Sequence, residues 1–246
     1  MGSCSLHVLG CGDAFASGGR FNTCFFLKTP KVNFLLDCGA SSLVAIHQNE
    51  ISTEDVDVIV VSHFHGDHYG GIPFFLLDAT HKTKRIKPLT IISPPGCEQK
   101  LQELCELLYP GSPLLKNIDV HYLEFNGNDK IDESIFRIET SPVIHAPASL
   151  PHGYKIYVDE KVISFSGDTE WTDNLYQLAD GSDLFICECN FYDSKLKGHI
   201  NYLELKENLN RLNSKRVILN HLGEEMLENL HKIEIETAKD GQVIDF

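Results

Sequence analysis

Short apolar runs bounded by Gly, Pro, Asn and Asp recur along the chain, at residues 6–9, 24–27, 34–36, 56–61, 89–92, 135–138, 155–158, 162–165, 184–187 and 217–219. Their β-branched and aromatic content predicts strands. Helix-like periodicity fills 40–48, 98–108, 172–178, 202–212 and 224–230, and 72–77 reads as a core helix. Early strands cluster while later ones alternate with helices, which predicts two sheets covered by helices. No repeat, low-complexity tract or Ser/Pro linker divides the sequence, so one domain over residues 1–246 is expected. Four segments, 10–22, 62–72, 140–153 and 189–201, show no period, and long irregular segments tend to carry function.

Composition narrows the class. With 42% hydrophobic and 23% charged residues in 246 positions, the chain is globular. Its longest apolar stretches, such as 72–77, fall far short of the ~20 residues of a membrane helix. The opening MGSCSLHVLG lacks a basic region followed by a long apolar run, so no signal peptide is expected. Leu6 stands where a myristoylated Met1-Gly2 start needs Ser or Thr. A cytoplasmic location follows as the expectation. Lys and Arg total 21 against 35 Asp and Glu, a formal charge of −14, which argues against gripping a long nucleic acid through counterion release. The eight Cys are too sparse for a disulfide scaffold and are expected as buried thiols. Cys187 and Cys189 lack structural-zinc spacing, and Phe15 breaks the glycine pattern begun by Gly10 and Gly12.

The strongest chemistry follows the apolar run ending at Val61. His63 and His65, two apart in extended chain, project to one side and can share an ion. A turn at Gly66 then aims Asp67 and His68 at a second, adjacent ion. Four residues cannot complete two sites. His145, Asp168 and His221 each stand just beyond an apolar run, where α/β folds gather ligands, and Asp168 lies among small residues that let it approach both ions. Imidazole and carboxylate suit zinc, and also manganese or iron. His152 is an alternative to His145.

These residues resemble the metallo-β-lactamase superfamily, through Ser62-His-Phe-His-Gly-Asp-His68, His145, Phe165-Ser-Gly-Asp-Thr169 and Leu219-Asn-His-Leu222. Within it the chain is most similar to the ribonuclease Z branch, through Leu9-Gly-Cys-Gly-Asp-Ala14, Arg20-Phe-Asn-Thr-Cys24, Leu35-Leu-Asp-Cys-Gly39, Glu188-Cys-Asn-Phe191 and Gly198-His-Ile200. The resemblance implies an α/β fold, the four-layer αβ/βα sandwich, with two divalent ions between the sheets. It implies that His63, His65 and His145 hold one ion, that Asp67, His68 and His221 hold the other, and that Asp168 bridges them. Asp37 would support the loop of the first motif, and a homodimer is implied as well.

Two departures bear on the substrate. Ribonuclease Z enzymes carry a basic flexible arm for tRNA, inserted in many bacterial members between the counterparts of His145 and Asp168. Here that interval is 23 positions, with Lys155 and Lys161 its only cations. The Gly-Glu-Gly-Thr-Gln stretch is also replaced, by Gly39-Ala-Ser-Ser-Leu43. Folded tRNA is therefore not the expected partner. Bound metal lowers the pKa of water from 15.7 toward roughly 7, which supplies a hydroxide nucleophile at neutral pH. Asp67 would orient that nucleophile or take its proton, and by the resemblance His199 would protonate the leaving alkoxide, with Glu188 orienting it. The expected activity is a phosphodiesterase on a small anionic substrate, a cyclic nucleotide or a short RNA end. The alternatives are an ester, lactone or sulfate ester hydrolase, although no His-Thr-Pro-Gly-His stretch marks that branch. From another class come a redox diiron protein and a non-catalytic metal-binding module. Arg20, Lys195 and Lys197 are candidate anion contacts, Phe74 or Phe75 a candidate pocket wall, and Trp171 is expected to pack.

Overall fold

In the computed structural model, which describes residues 4–246, six strands come first. They are β1 (Ser5–Gly10), β2 (Cys24–Lys28), β3 (Phe34–Leu36), β4 (Val58–Val60), β5 (Leu89–Ser93) and β6 (Val120–Glu124). A second series follows: β7 (Lys130–Asp132), β8 (Phe136–Pro142), β9 (His152–Val158), β10 (Lys161–Phe165), β11 (Leu184–Glu188), β12 (Val217–Asn220) and β13 (Glu236–Thr237). Last, β14 (Val243–Asp245) returns to pair with β1. One sheet runs β14-β1-β2-β3-β4-β5-β6, the other β13-β12-β11-β10-β9-β8-β7. Each is antiparallel at one end and parallel at the other, where β3 to β6 and β10 to β13 run together. Met1 and Gly2, on which the acylation reading turns, lie outside the described residues.

Side-chain alternation sets the layers. Phe34, Leu36, Val58 and Val60 of one sheet and Ile138, Ile156, Phe165 and Ile186 of the other share a single inter-sheet core. Edge-on ring pairs cross it, Phe25 with Phe165 at 6.1 Å and Phe34 with Phe136 at 5.1 Å between centroids. Each such buried side chain contributes ~1.5–3 kcal/mol, so this core is what fixes one sheet upon the other. The opposite faces carry Leu35, Ile59 and Ile91 in one cluster and Phe185, Cys187 and Leu219 in another. Helices α1 (Ser42–Gln48), α2 (Gly66–Tyr69), α3 (Ile72–His81) and α4 (Cys97–Leu108) belong to the first half of the chain. Of these, α1, α3 and α4 cover the first outer face. The second is covered by α5 (Asn174–Ala179), α6 (Tyr202–Asn208) and α7 (Glu224–Glu228). The order is helix, sheet, sheet, helix, the four-layer αβ/βα sandwich expected.

Every predicted strand and helix is present. Four strands were not predicted, for a common reason. β6 is only partly buried, β7 is a short polar edge, β13 has two residues and β14 three, too little to show a period. Two of the segments read as irregular are partly regular, since β8 runs to Pro142, β9 starts at His152, and α2 fills 66–69. Phe75 is core, and Phe74 packs edge-on against Tyr109 beyond the end of α4. All eight Cys are buried and free, and no helix among the described residues is long and apolar enough to cross a membrane.

Candidate metal centre

Five parallel strands direct the chemistry to one place. Asp37 follows β3, His63 follows β4, Asp168 follows β10, Glu188 closes β11 and His221 follows β12, all at carboxyl ends, where open α/β sheets bind ligands. Asp37 and His221 both adopt left-handed backbone, at φ 55° and 57°, which hooks each side chain back from its strand. Such a conformation costs of order 1–3 kcal/mol outside glycine and persists where the surroundings over-determine it.

The seven residues expected at the centre converge. The ligand atoms of His63, His65 and His145 lie within 4.8 Å of one another, as do those of Asp67, His68, Asp168 and His221. Asp168 Oδ2 is the link: it lies 3.2 Å from His68 Nε2 and 3.3 Å from His221 Nε2, and 3.9 Å from both His63 Nε2 and His145 Nε2. Asp67 Oδ2 is 3.3 Å from the same nitrogens of His68 and His221. Zinc bonds of ~2.0–2.2 Å at tetrahedral angles set ligand atoms roughly 3.3 Å apart, so the second group already has the spacing an ion requires.

Three buried atoms at the centre lack partners. His63 Nε2, His68 Nε2 and Asp168 Oδ1 are buried without a hydrogen bond, and such orphans are costly in a native interior unless something else satisfies them. The opposite ring nitrogens are held. His63 Nδ1 meets Ser62 Oγ at 3.0 Å, His68 Nδ1 meets Asp37 Oδ2 at 2.6 Å, and His145 Nδ1 donates to the Gly198 carbonyl at 2.7 Å. Asp37 also accepts from Ser62 N and Ser62 Oγ, both at 2.7 Å, which fixes the first motif as the resemblance implied. His221 Nδ1 meets Asn190 Nδ2 at 3.0 Å, and the same amide nitrogen donates to the His221 carbonyl at 3.1 Å. The donor set therefore fits divalent ions.

Charge agrees with the geometry. Burial pulls the His63 and His145 imidazoles down toward the neutral form that ligands take, whereas at His68 and His221 burial is outweighed by the Asp168 and Asp67 carboxylates, which raise both in the metal-free protein. Burial alone would raise Asp168, but the His221, His68 and His63 imidazoles outweigh it and hold the carboxyl well below its usual range. Burial opposes protonation of His199 too, yet the Glu188 hydrogen bond and charge prevail and push it up to about 9. Glu188 Oε1 receives His199 Nδ1–H at 2.9 Å and Thr169 N–H at 2.8 Å, while its Oε2 receives Ile200 N–H at 3.2 Å. The His199 ring stands beside both groups, 4.9 Å from that of His145 and 5.3 Å from that of His221.

Other expected contacts fall elsewhere. His152 is no part of the cluster: its Nδ1 donates to Leu150 O at 2.9 Å and its Nε2 accepts from Gly127 N at 3.1 Å. Arg20 is engaged with Cys11 Sγ at 3.0 Å and Ala238 O at 2.8 Å, a structural tie to the C-terminal segment. Lys195, Lys197 and Trp171 line a cavity of about 220 Å³ with His199, and Trp171 also packs on Tyr176 at 5.6 Å. Ser62 and Asn190 were not singled out, and nothing in their spacing could have done so.

Gly66 does not make the turn that follows His65. It is the first residue of α2, and a Cβ there meets nothing within 4 Å. The tight place is next door, where a Cβ on Gly71 would run into the Gly39 carbonyl oxygen, and one on Gly39 into that of Asp67. Gly66→Ala is expected to change stability by no more than ~0.5 kcal/mol. Gly71→Ala is expected to cost ~1–3 kcal/mol, because backbone must move. Urea unfolding of the metal-free variants measures both.

Residues 4–244 match a family described as "Anti-Pycsar protein Apyc1". The chain is 24% identical to the ribonuclease Z of Clostridium beijerinckii over 286 aligned positions, covering 93% of this chain and 92% of that protein. Its fold is similar to that of YhfI, a metallo-β-lactamase fold protein of Bacillus subtilis, with a TM-score of 0.82, 21% identity and 100% of each chain covered. It is also similar to the short form of human tRNase Z, with a TM-score of 0.79, 21% identity and 98% of each chain covered.

Proposed function

The chain belongs to the Anti-Pycsar protein Apyc1 family, a hydrolase of the metallo-β-lactamase fold related to ribonuclease Z, and from that premise we propose a dinuclear metal-dependent phosphodiesterase. Its substrate is a small or single-stranded nucleotide, a cyclic nucleotide or a short RNA end. One observation supports the reading: Asp168 Oδ2 lies 3.2–3.9 Å from imidazoles of both groups, with the His199–Glu188 pair beside them. Hydrolysis of a phosphodiester with a poor leaving group calls for both parts, anion stabilisation and a proton for the departing oxygen.

His63, His65 and His145 would hold one ion and Asp67, His68 and His221 the other, with Asp168 between. Zinc suits this set, as do manganese and iron. When bound, such ions activate water at neutral pH and neutralise charge on the phosphate. The rest falls to the chain's own side chains. Asp67, 3.3 Å from His68 and His221, would orient the attacking water or take its proton. His199, kept protonated by Glu188, delivers its Nε2 proton to the leaving oxygen. Lys195 and Lys197 line the adjoining cavity together with Glu170 and Glu204.

The substrate size rests on what joins β9 to β10. Val158 pairs with Lys161 across two residues, Asp159 and Glu160, at φ 48° and 64°, a type I′ hairpin with two acidic residues. This is the interval where the ribonuclease Z resemblance calls for a basic arm. The aligned length of 286 positions exceeds the 246 residues of the chain, so the clostridial relative carries residues without counterparts here.

The test is a panel of cyclic and linear nucleotides, a tRNA precursor, bis(p-nitrophenyl) phosphate, p-nitrophenyl acetate and a homoserine lactone, with zinc or manganese and with chelator. Turnover of a small nucleotide, abolished by chelator and exceeding that of the tRNA precursor, is expected. Preference for the acetate or the lactone overturns the phosphodiester assignment.

A further inference from the structure

Resting on that reading, we propose that Glu170 is a positioning residue that ties the metal-facing His145 to the proton donor His199 through Gly198. Glu170 Oε1 accepts from Gly198 N at 2.9 Å, and the Gly198 carbonyl in turn accepts from His145 Nδ1 at 2.7 Å. Pinning the nitrogen of this residue aims its carbonyl at the ring, fixing the tautomer that leaves His145 Nε2 free for metal. Only glycine serves here. Its φ is +90°, and a Cβ would sit 2.7 Å from His145 Nδ1.

Glu188 holds the loop from the other side of Gly198, through the His199 ring and Ile200 N–H. Asp193 N and Ser194 N bond to Glu225 Oε1, and His199 N reaches Leu196 O at 3.4 Å within the loop itself. Among the described residues, 195–197 make no backbone bond to another element. Glu170 is itself anchored, because its N–H donates to Ile144 O at 2.7 Å beside His145. Three consecutive residues thus do three connected jobs: Asp168 faces both ligand groups, Thr169 N–H holds Glu188, and the Glu170 carboxylate holds the residue before His199. The chain places the carboxylate of Glu170 beside Lys195 and Lys197 in the same cavity, yet it bonds the backbone of the loop.

The experiment compares Glu170→Ala with Glu170→Gln, whose amide oxygen still accepts from Gly198 N. Zinc titration by calorimetry, kinetics on bis(p-nitrophenyl) phosphate and NMR of the histidine ring protons of the metal-free protein are the readouts. Glu170→Ala is expected to weaken one zinc ion by ~10–100-fold, as loss of such a support typically does. It also lowers kcat more than it raises KM and speeds exchange of the His145 Nδ1 proton. Glu170→Gln restores all three to near wild type. Unchanged zinc affinity and ring-proton exchange in Glu170→Ala overturn the proposal, and so does a Gln variant as impaired as the Ala variant. If the wild type fails to cleave any phosphodiester while the zinc and NMR changes appear, the positioning role stands and the phosphodiesterase reading falls.

Discussion

Asp168→Ala is expected to lower hydrolysis of bis(p-nitrophenyl) phosphate by at least ~10³-fold, the equivalent of the several kcal/mol a metal centre supplies to the transition state. The reason is the position of one atom. Asp168 Oδ2 faces His63, His68, His145 and His221 at 3.2–3.9 Å, so under the proposed reading its loss would remove a shared ligand rather than a peripheral one. Metal content, measured on protein dialysed against low zinc, is expected to fall from two ions to one or none. The fold is expected to survive, because Asp168 makes no backbone hydrogen bond through its side chain and the inter-sheet core lies apart from it. Circular dichroism checks that point. Asp67→Ala provides the contrast, since Asp67 Oδ2 faces only His68 and His221 and its removal leaves the His63 group whole. An Asp168→Ala protein that keeps two ions and its turnover would remove Asp168 from the bridge.

How much of this was legible in the sequence follows from what a sequence can record. The layers were legible because strands of both sheets have an apolar inner face, and the outer faces that meet helices are apolar as well, so runs such as 34–36 and 184–187 stand out. The convergence of seven His and Asp residues was legible because each follows a buried strand or its loop, where an ionisable side chain has few structural duties. The supports were not legible. A backbone carbonyl such as that of Gly198 has no letter of its own, and Ser62 and Asn190 look like any polar loop residue. Arg20 misled for a related reason. Its carbonyl partner, Ala238, is 218 positions away, a distance over which no local pattern operates. Gly66 drew notice because it interrupts the ligand motif, whereas the glycines that contact demands, Gly39 and Gly71, come from loops that only the fold brings together.

His199→Ala should separate the two halves of the chemistry by the leaving group. A nucleotide departs as an alkoxide, a strong base that must be protonated as the bond breaks, and loss of a positioned acid there costs ~10²–10⁴-fold. p-Nitrophenolate is a weak base that leaves without help, so the same variant is expected to retain most of its activity on bis(p-nitrophenyl) phosphate. Metal content is expected to hold, because the His199 ring is bonded through Nδ1 to Glu188 and lies outside both principal ligand groups. Glu188→Gln is expected to show the same dependence on leaving group in weaker form. Burial opposes charge on His199, and without the Glu188 carboxylate the imidazole is no longer held up at about 9, so a smaller fraction is protonated at neutral pH. Its activity on nucleotides should therefore fall as pH rises, from a lower pH than in the wild type. Equal losses on both substrates in His199→Ala would mean that the ring binds substrate or metal, and proton delivery would have to come from elsewhere.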